Sequence, residues 1–146
     1  MTTKLSFEIL PIENDGFHLQ LKVRINGSEA NLILDTGASR SVFDETRITL
    51  FTKNNHVEDN ERLSTGLGTN TMTSKNVILE KLELNELIIE NYEATILDLT
   101  HVNESYEKLE LELIDGVLGS DILVEYNAII DYGKKELVFS SKTENK

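Results

Sequence analysis

The segment from Leu32 to Ser39 joins an apolar run to a carboxylate, a small hydroxyl residue and a glycine. Asp35 follows the run directly, and Thr36 and Gly37 come next. A buried strand gives the carboxylate a rigid mount, and a glycine lets the backbone turn so that its N–H faces the carboxylate. The segment therefore predicts a carboxylate held for acid–base chemistry. For an isolated tripeptide of this kind, a strand that ends in an Asx-type turn would be the better explanation.

A hairpin is predicted to carry this carboxylate. Apolar residues alternate from Phe17 to Ile25, which is the period of a half-buried strand. Asn26 and Gly27 follow, and both residue types accept the positive φ that a tight two-residue turn requires. The next strand, Ala30 to Leu34, therefore pairs back on the first one and ends at Asp35.

Further strands are expected after this hairpin. The stretch from Ser64 to Thr71 has two glycines and small hydroxyl residues, which suit a mobile hairpin tip. Long strands should flank it, and the segments from Val77 to Leu84 and from Leu87 to Leu99 have the necessary alternation. A closing hairpin is predicted over residues 127–140, with its turn at Gly133.

Two short helices complete the prediction. Apolar residues from Val102 to Leu113 follow helical spacing with Asn103 as N-cap, although Leu109 to Leu113 also fit a strand. Ser120 is predicted to cap a second helix that runs to Tyr126.

Composition limits the classes of protein and partner. A chain of 146 residues suits a single domain, 1–146, in which 1–12 and 141–146 are expected to be peripheral or frayed. The net charge of −12 argues against nucleic acid and anionic membranes as partners. The absence of cysteine and of an apolar N-terminal signal core predicts a cytoplasmic protein. His18, His56 and His101 have no ligand spacing, so no metal site is expected.

The order and rough spacing of three segments resemble a known family. These are the Asp-Thr-Gly segment, the glycine-containing hairpin, and the run from Ile114 to Leu123. From Phe17 to Ser140 the sequence resembles the retropepsin-like aspartic peptidases, in particular their single-lobe bacterial members. The resemblance implies a mainly β fold, a single-lobe acid protease barrel with one or two short helices.

The resemblance also implies roles for individual residues. Asp35 matches the catalytic aspartate, Thr36 the residue whose hydroxyl locks two active-site loops together, and Gly37 the glycine beside the catalytic water. The residues that support this loop are Ala38, Ser39, Val117, Leu118 and Gly119. The flap that closes over substrate is matched by Ser64, Thr65, Gly66, Leu67, Gly68 and Thr69.

Peptide-bond hydrolysis without a cofactor is the activity that the resemblance implies. The reaction needs two carboxylates, and no second Asp-Thr-Gly or Asp-Ser-Gly occurs in the sequence. Asp115 precedes the Val-Leu-Gly element and is expected to make a turn. A homodimer must therefore supply the second Asp35, so the expected partners are a second copy and a peptide or protein substrate. The alternatives are a non-catalytic peptide-binding or dimerisation module with the same fold, and an all-β structural domain without a site.

One departure from the viral members predicts a contact specific to this chain. Those members often pair an acidic residue with an arginine at positions that hold Ser39 and Ser120 here. One residue further along stand Arg40 and Asp121, which we expect to lie close enough to form an ion pair with the charges exchanged. The alternative is a solvated surface arginine and a helix-capping aspartate.

Overall fold

The computed structural model describes residues 2–12, 16–52, 58–63 and 73–140. This part of the chain contains ten strands, two α-helices and a short 3-10 helix, Arg47–Leu50. The first five strands are β1 (Thr2–Pro11), β2 (Phe17–Ile25), β3 (Ser28–Leu34), β4 (Val42–Asp44) and β5 (Glu58–Leu63). The others are β6 (Thr73–Leu84), β7 (Leu87–Leu97), β8 (Gly116–Leu118), β9 (Ile129–Asp131) and β10 (Glu136–Ser140). The α-helices are α1 (Thr100–Lys108) and α2 (Ser120–Glu125).

Six of the strands close into a barrel in the order β2, β3, β8, β4, β7, β6, because β6 pairs again with β2 through Leu82 and Glu83. The hairpin of β2 and β3 turns at Asn26 and Gly27, whose φ values of 50° and 89° are both positive. That geometry is the reason for the Asn-Gly pair at this turn. The predicted mainly β barrel with two short helices is therefore confirmed.

Strand β8 lies between β3 and β4, the two strands that the Asp35 loop connects. It runs parallel to β3, with Leu32 opposite Gly116 and Leu34 opposite Leu118. On its other side it runs antiparallel to β4, with Phe43 opposite Gly116. The loop after β3 is thus fixed by a strand from much later in the sequence.

The barrel interior is filled by the alternating apolar side chains of β2 and its neighbours. Leu21, Val23, Ile25, Phe43 and Leu79 are all buried in this cluster. A second cluster packs under helix α1 and has Ile33, Tyr106 and Ile114 as its buried members. Ile33 lies on β3 two residues before Asp35, so the strand that carries the carboxylate packs against helix α1 on one face and against the barrel core on the other, through Leu32 and Leu34.

The N-terminal segment differs from its prediction. Residues 1–12 were expected to be peripheral or frayed, whereas β1 pairs with β10 and then with β2. Thr3, Leu5 and Phe7 are buried on its inner face. The alternation of these residues gives the strand a buried face, which accounts for its place in the sheet. The predicted frayed tail, 141–146, lies outside the described residues.

Helix α1 is shorter than the predicted pattern and begins differently. It ends at Lys108, and residues 109–113 form neither helix nor strand. Asn103 is not the N-cap. It lies inside the helix, and its side chain donates to the carbonyl of Ile114 and accepts from the N–H of Ile114. Neither α1 nor α2, the two α-helices within the described residues, is long and apolar enough to cross a membrane.

Candidate active site

Asp35 stands at the end of β3 on a loop with a fixed hydrogen-bond pattern. Its backbone N–H donates to the carbonyl of Leu118 at 3.0 Å, which continues the pairing with β8. The N–H of Gly37 donates to Oδ1 of Asp35 at 2.8 Å, and that of Ala38 donates to the Asp35 carbonyl at 3.1 Å. The side chain of Asp35 is exposed. The predicted turn at Gly37 is therefore present, and it engages one carboxylate oxygen, while no hydrogen bond from the described residues engages the other.

The segment after β8 binds the Asp35 loop through hydrogen bonds to the loop's backbone carbonyls. The N–H of Ser120 donates to the carbonyl of Ala38 at 2.8 Å, and its hydroxyl donates to the carbonyl of Thr36 at 3.1 Å. Ser120 was predicted as the N-cap of α2, but the N-cap is Gly119, and Ser120 is the first helical residue and binds the loop instead. A Cβ at Gly119 would lie 2.7 Å from the backbone of Arg40 and 2.8 Å from the Ala38 carbonyl. The close approach therefore requires glycine.

Ser41 and Asp121 form the centre of a network that the sequence did not reveal. Ser41 is fully buried, and both its N–H and its hydroxyl donate to Oδ1 of Asp121 at 2.8 Å. Its hydroxyl oxygen also accepts from the N–H of Gly119 at 2.8 Å. The phenol of Tyr92, from β7, donates to Oδ2 of Asp121. This network joins the end of the Asp35 loop, β7 and the start of α2.

The predicted ion pair between Arg40 and Asp121 is wrong. Within the described residues, the four ion pairs do not include these two side chains. The Nε of Arg40 lies 3.4 Å from the hydroxyl of Thr95, which accepts from it. Both oxygens of Asp121 already accept hydrogen bonds from Ser41 and Tyr92, so the carboxylate braces the loop one residue further along than expected.

The network determines how Asp121 and Tyr92 titrate. Burial tends to raise the pKa of Asp121, but hydrogen bonds from Tyr92 and Ser41 favour the ionised carboxylate and lower the pKa below its ordinary value. Burial, followed by the hydrogen bond to Asp121, raises the pKa of Tyr92 far above the usual value for a phenol. The pair is therefore a neutral phenol that donates to an ionised carboxylate.

A pocket of about 350 Å³ opens beside Asp35. Its wall includes Asp35 and Thr36 together with apolar side chains from β2, β3, α1 and β8. The residues that line it are Phe17, His18, Leu19, Ile33, Leu34, Asp35, Thr36, Val102, Ile114, Val117, Ile130 and Tyr132. Of the predicted supporting residues, Val117 lines this pocket. Leu118 accepts a hydrogen bond from the N–H of Asp35, and Gly119 donates one to the hydroxyl of Ser41, at the end of the loop. Phe17, His18 and Leu19 of β2 also line the pocket. The sequence predicted a strand there, but nothing in the sequence indicated that these residues line a pocket.

Asp115 has a structural place away from this pocket. It is buried, its Oδ2 accepts from the N–H of Asn31 at 2.8 Å, and its Oδ1 accepts from Nε of Arg47 at 2.7 Å. The carboxylate therefore ties the barrel strand β3 to the 3-10 helix. The sequence predicted a turn at Asp115, and the carboxylate also links two elements of the fold.

The predicted flap, Ser64 to Thr69, lies outside the described residues. Strands β5 and β6, which flank 64–72 in sequence, pair antiparallel with Leu63 opposite Thr73. The flap assignment therefore stays a prediction. Within the described part of the chain, no three His, Cys, Asp or Glu side chains are grouped so that they could hold a metal ion.

Comparisons with known proteins agree with this geometry. The sequence model of a family described as aspartyl protease matches residues 21–122. A retropepsin-like aspartic protease from Rickettsia conorii superposes with a TM-score of 0.53 and 16% identity, covering 95% of this chain and 91% of that one. The retroviral protease-like domain of Ddi1 from Leishmania major gives 0.56 and 14%, with 85% and 89% covered.

At these identities the two structures show the shared retropepsin-like fold, and no curated protein matches the sequence. The family match covers more than half of the chain and includes Asp35 and the Val117–Gly119 element. The chain therefore belongs to the aspartyl protease family.

Proposed function

We propose that this chain is an aspartic endopeptidase, in which water activated between the Asp35 carboxylates of two copies hydrolyses peptide bonds. The observation that carries the proposal is the exposed Asp35 carboxylate at the edge of an apolar pocket, with one oxygen held by the N–H of Gly37. A carboxylate that is oriented by the backbone and still accessible is suited to bind and activate water.

The second carboxylate comes from a second copy of the chain. Asp-Thr-Gly occurs once in the 146 residues. Within the described part of the chain, the two buried aspartates are engaged elsewhere: Asp44 accepts from the N–H groups of Arg47 and Leu99, and Asp115 accepts from that of Asn31. A twofold axis beside Asp35 gives the dimer one site with two equivalent carboxylates and needs no second motif. The site is therefore incomplete in one chain.

The two carboxylates act as one unit. Two carboxylates about 3 Å apart cannot both ionise, so they share one proton and titrate as a pair. The ionised Asp35 takes a proton from water as the water oxygen attacks the scissile carbonyl carbon. The protonated partner donates a hydrogen bond to the carbonyl oxygen and polarises it. The tetrahedral intermediate then collapses: the C–N bond breaks, and the leaving nitrogen takes the proton that Asp35 accepted from water, so the pair again holds one proton.

The surface beside the pocket supports a dimer. Among the described strands β9 pairs only with β10, so its other edge is open to another strand. Phe17 and Tyr132, which line the pocket, are 67% and 62% exposed, and Ile129 on β9 is 60% exposed. A second copy that covers these side chains removes apolar surface from water and brings its own Asp35 to the same pocket.

Substrate is bound as an extended peptide in this proposal. The pocket receives a side chain, and the backbone pairs with protein main chain in the manner of an added strand. We assign the covering flap to Ser64, Thr65, Gly66, Leu67, Gly68 and Thr69, on the sequence argument alone. Thr36 is assigned the loop-locking role and Ala38 and Ser39 the supporting role on the same ground.

Digestion of a peptide library across acidic to neutral pH tests the proposal, with Asp35→Asn as the matched inactive control. We expect cleavage by the wild type and none by the variant. Cleavage by Asp35→Asn would contradict the assignment of the catalytic residue. Binding of peptides by both proteins without cleavage by either would favour the non-catalytic peptide-binding module instead.

A further inference from the structure

A histidine lines the pocket that contains Asp35, and the mechanism above does not use it. The side chain of His18 is exposed at the pocket wall, and its Nδ1 lies 2.7 Å from the hydroxyl of Tyr106 on helix α1. The two rings stack with centroids 5.9 Å apart and an interplanar angle of 23°. His18 is therefore held in one orientation by a residue from another layer of the fold.

Tyr106 is a rigid support for this imidazole. Its side chain is 1% exposed, and burial raises the pKa of its phenol to about 12, so the hydroxyl keeps its proton at acidic and neutral pH. The helix that carries it is fixed by the two hydrogen bonds between Asn103 and Ile114. Val102 from the same helix lines the pocket, so α1 supplies one wall directly and orients a second group through Tyr106.

The contact with Tyr106 determines which nitrogen of His18 carries a proton. Among the described residues, His18 is the one partner of the buried phenol, and a buried hydroxyl hydrogen without an acceptor is costly. In neutral His18 the phenol therefore donates to Nδ1, which leaves the proton on Nε2. In protonated His18 both nitrogens carry protons. Nε2 is thus an N–H donor in either state, and no contact within the described residues uses it.

The remaining wall of the pocket is mostly aliphatic, with Leu19, Ile33, Val102, Ile114 and Val117. The volume of about 350 Å³ is near the lower end of the roughly 300–1,000 Å³ of ligand sites, which suits one or two side chains. A side chain that fits this lining has an aliphatic stem and a terminal oxygen that can accept from Nε2.

We propose that His18 is a specificity-determining residue, which makes this pocket prefer a substrate side chain with an aliphatic stem and a terminal acceptor oxygen, Gln or Glu. The proposal rests on the proposed function because it concerns the same site. A hydrophobic pocket alone separates side chains of similar size poorly. His18 is exposed in the free chain, and a substrate side chain that fills the pocket covers its Nε2, so a side chain without an acceptor leaves that N–H unpaired.

A randomised decapeptide library first identifies the peptide position at which the wild type is selective. The test then compares two peptides that differ only at that position, one with Gln and one with Met. Cleavage is measured as kcat/KM with Asp35 intact, and binding is measured separately on the Asp35→Asn background. We expect His18→Phe to reduce the preference for Gln over Met by roughly two- to tenfold, the range of one net hydrogen bond. His18→Gln, which keeps an N–H donor, should restore part of the preference.

Two further variants separate a specific effect from a structural one. Tyr106→Phe removes only the hydroxyl that orients His18, and we expect an intermediate loss of the Gln preference with the overall fold retained. His101→Phe on the outer surface of α1, where the side chain is 99% exposed, is the matched control and should leave the preference unchanged. Tyr106→Phe also tests the proposal if His18→Phe fails to fold.

The outcomes distinguish this inference from the proposed function. Cleavage or binding with an unchanged Gln preference in His18→Phe and Tyr106→Phe overturns the inference and leaves the peptidase assignment standing. A His18-dependent binding preference without any cleavage by the wild type overturns the peptidase assignment and supports the inference. Peptides that are neither cleaved nor bound by the wild type overturn both.

Discussion

Asp121 accepts two hydrogen bonds from Ser41, one from the backbone N–H and one from the hydroxyl, both at 2.8 Å. Because the same hydroxyl accepts from the N–H of Gly119, one small side chain links the end of the Asp35 loop to the start of helix α2. This relationship takes the place of the ion pair that the neighbouring Arg40 was expected to form.

Ser41→Ala is predicted to destabilise the fold by about 1–3 kcal/mol, because it leaves the buried N–H of Gly119 and one lone pair of Asp121 without a partner. The exposed Ser39, two residues earlier in the same loop, provides the matched control. Ser39→Ala should change stability by less than about 0.5 kcal/mol. Chemical denaturation of both variants measures the difference, and equal stabilities would show that the network contributes nothing.

Tyr92→Phe is predicted to move acid unfolding to higher pH. The pKa of Asp121 in the folded chain is lowered, so its stabilising effect is full above the unfolded value of about 3.9 and is lost as pH falls through the folded pKa. Removing the phenol removes a hydrogen bond that lowers this pKa, which raises the folded pKa toward the unfolded one. Acid titrations followed by circular dichroism should show a higher midpoint for Tyr92→Phe, and identical midpoints would contradict the coupling.

Gly119→Ala is predicted to be destabilising by roughly 1–3 kcal/mol, because the new Cβ would lie 2.7 Å from the backbone of Arg40. The backbone of Arg40 and Ala38 belongs to the Asp35 loop, so it cannot move away from the new Cβ without displacing Asp35. Activity should therefore fall as well. Gly133→Ala is the control, since its Cβ would meet Asp131 at an ordinary 3.5 Å. Thermal unfolding and peptide cleavage of both variants check this, and a neutral Gly119→Ala would contradict the close approach.

Mixing wild type with Asp35→Asn is predicted to reduce activity per wild-type protomer, because a mixed dimer has one Asp35 only. At equal concentrations and free exchange, about half of the wild-type protomers lie in mixed dimers and the specific activity should fall to about half. Sedimentation at the same concentrations must show dimers. Activity that stays constant per wild-type protomer would mean that one chain forms a complete site.

Local sequence patterns were sufficient for the elements that carry Asp35. The alternation from Phe17 to Ile25, the Asn26-Gly27 turn and the Asp-Thr-Gly segment each act over a few residues, and the structure has the hairpin and the Gly37 hydrogen bond as predicted. The N-terminal strand has the same alternation in Thr3, Leu5 and Phe7, so local sequence also specifies this strand, contrary to the prediction of a peripheral or frayed segment.

The contacts that surround the site could not be predicted in this way. Ser41 meets Asp121 across 80 residues, and His18 meets Tyr106 across 88. Serine and histidine have no periodicity that identifies a distant partner, and their partners are determined by strand register and by the position of α1. The same limit explains Asn103, whose type suits an N-cap but whose position places it beside Ile114.

The insertion of β8 between β3 and β4 has a consequence for the order of folding. Seventy-eight residues along the chain separate Ser41 from the Gly119 that supports it. Because synthesis proceeds from the N-terminus, Asp35 leaves the ribosome long before the strand that fixes its loop. Closing so long a connection is entropically unfavourable and slows folding. A growing chain therefore carries its acidic residue without the geometry that would make it reactive, until nearly all of the barrel has been synthesised.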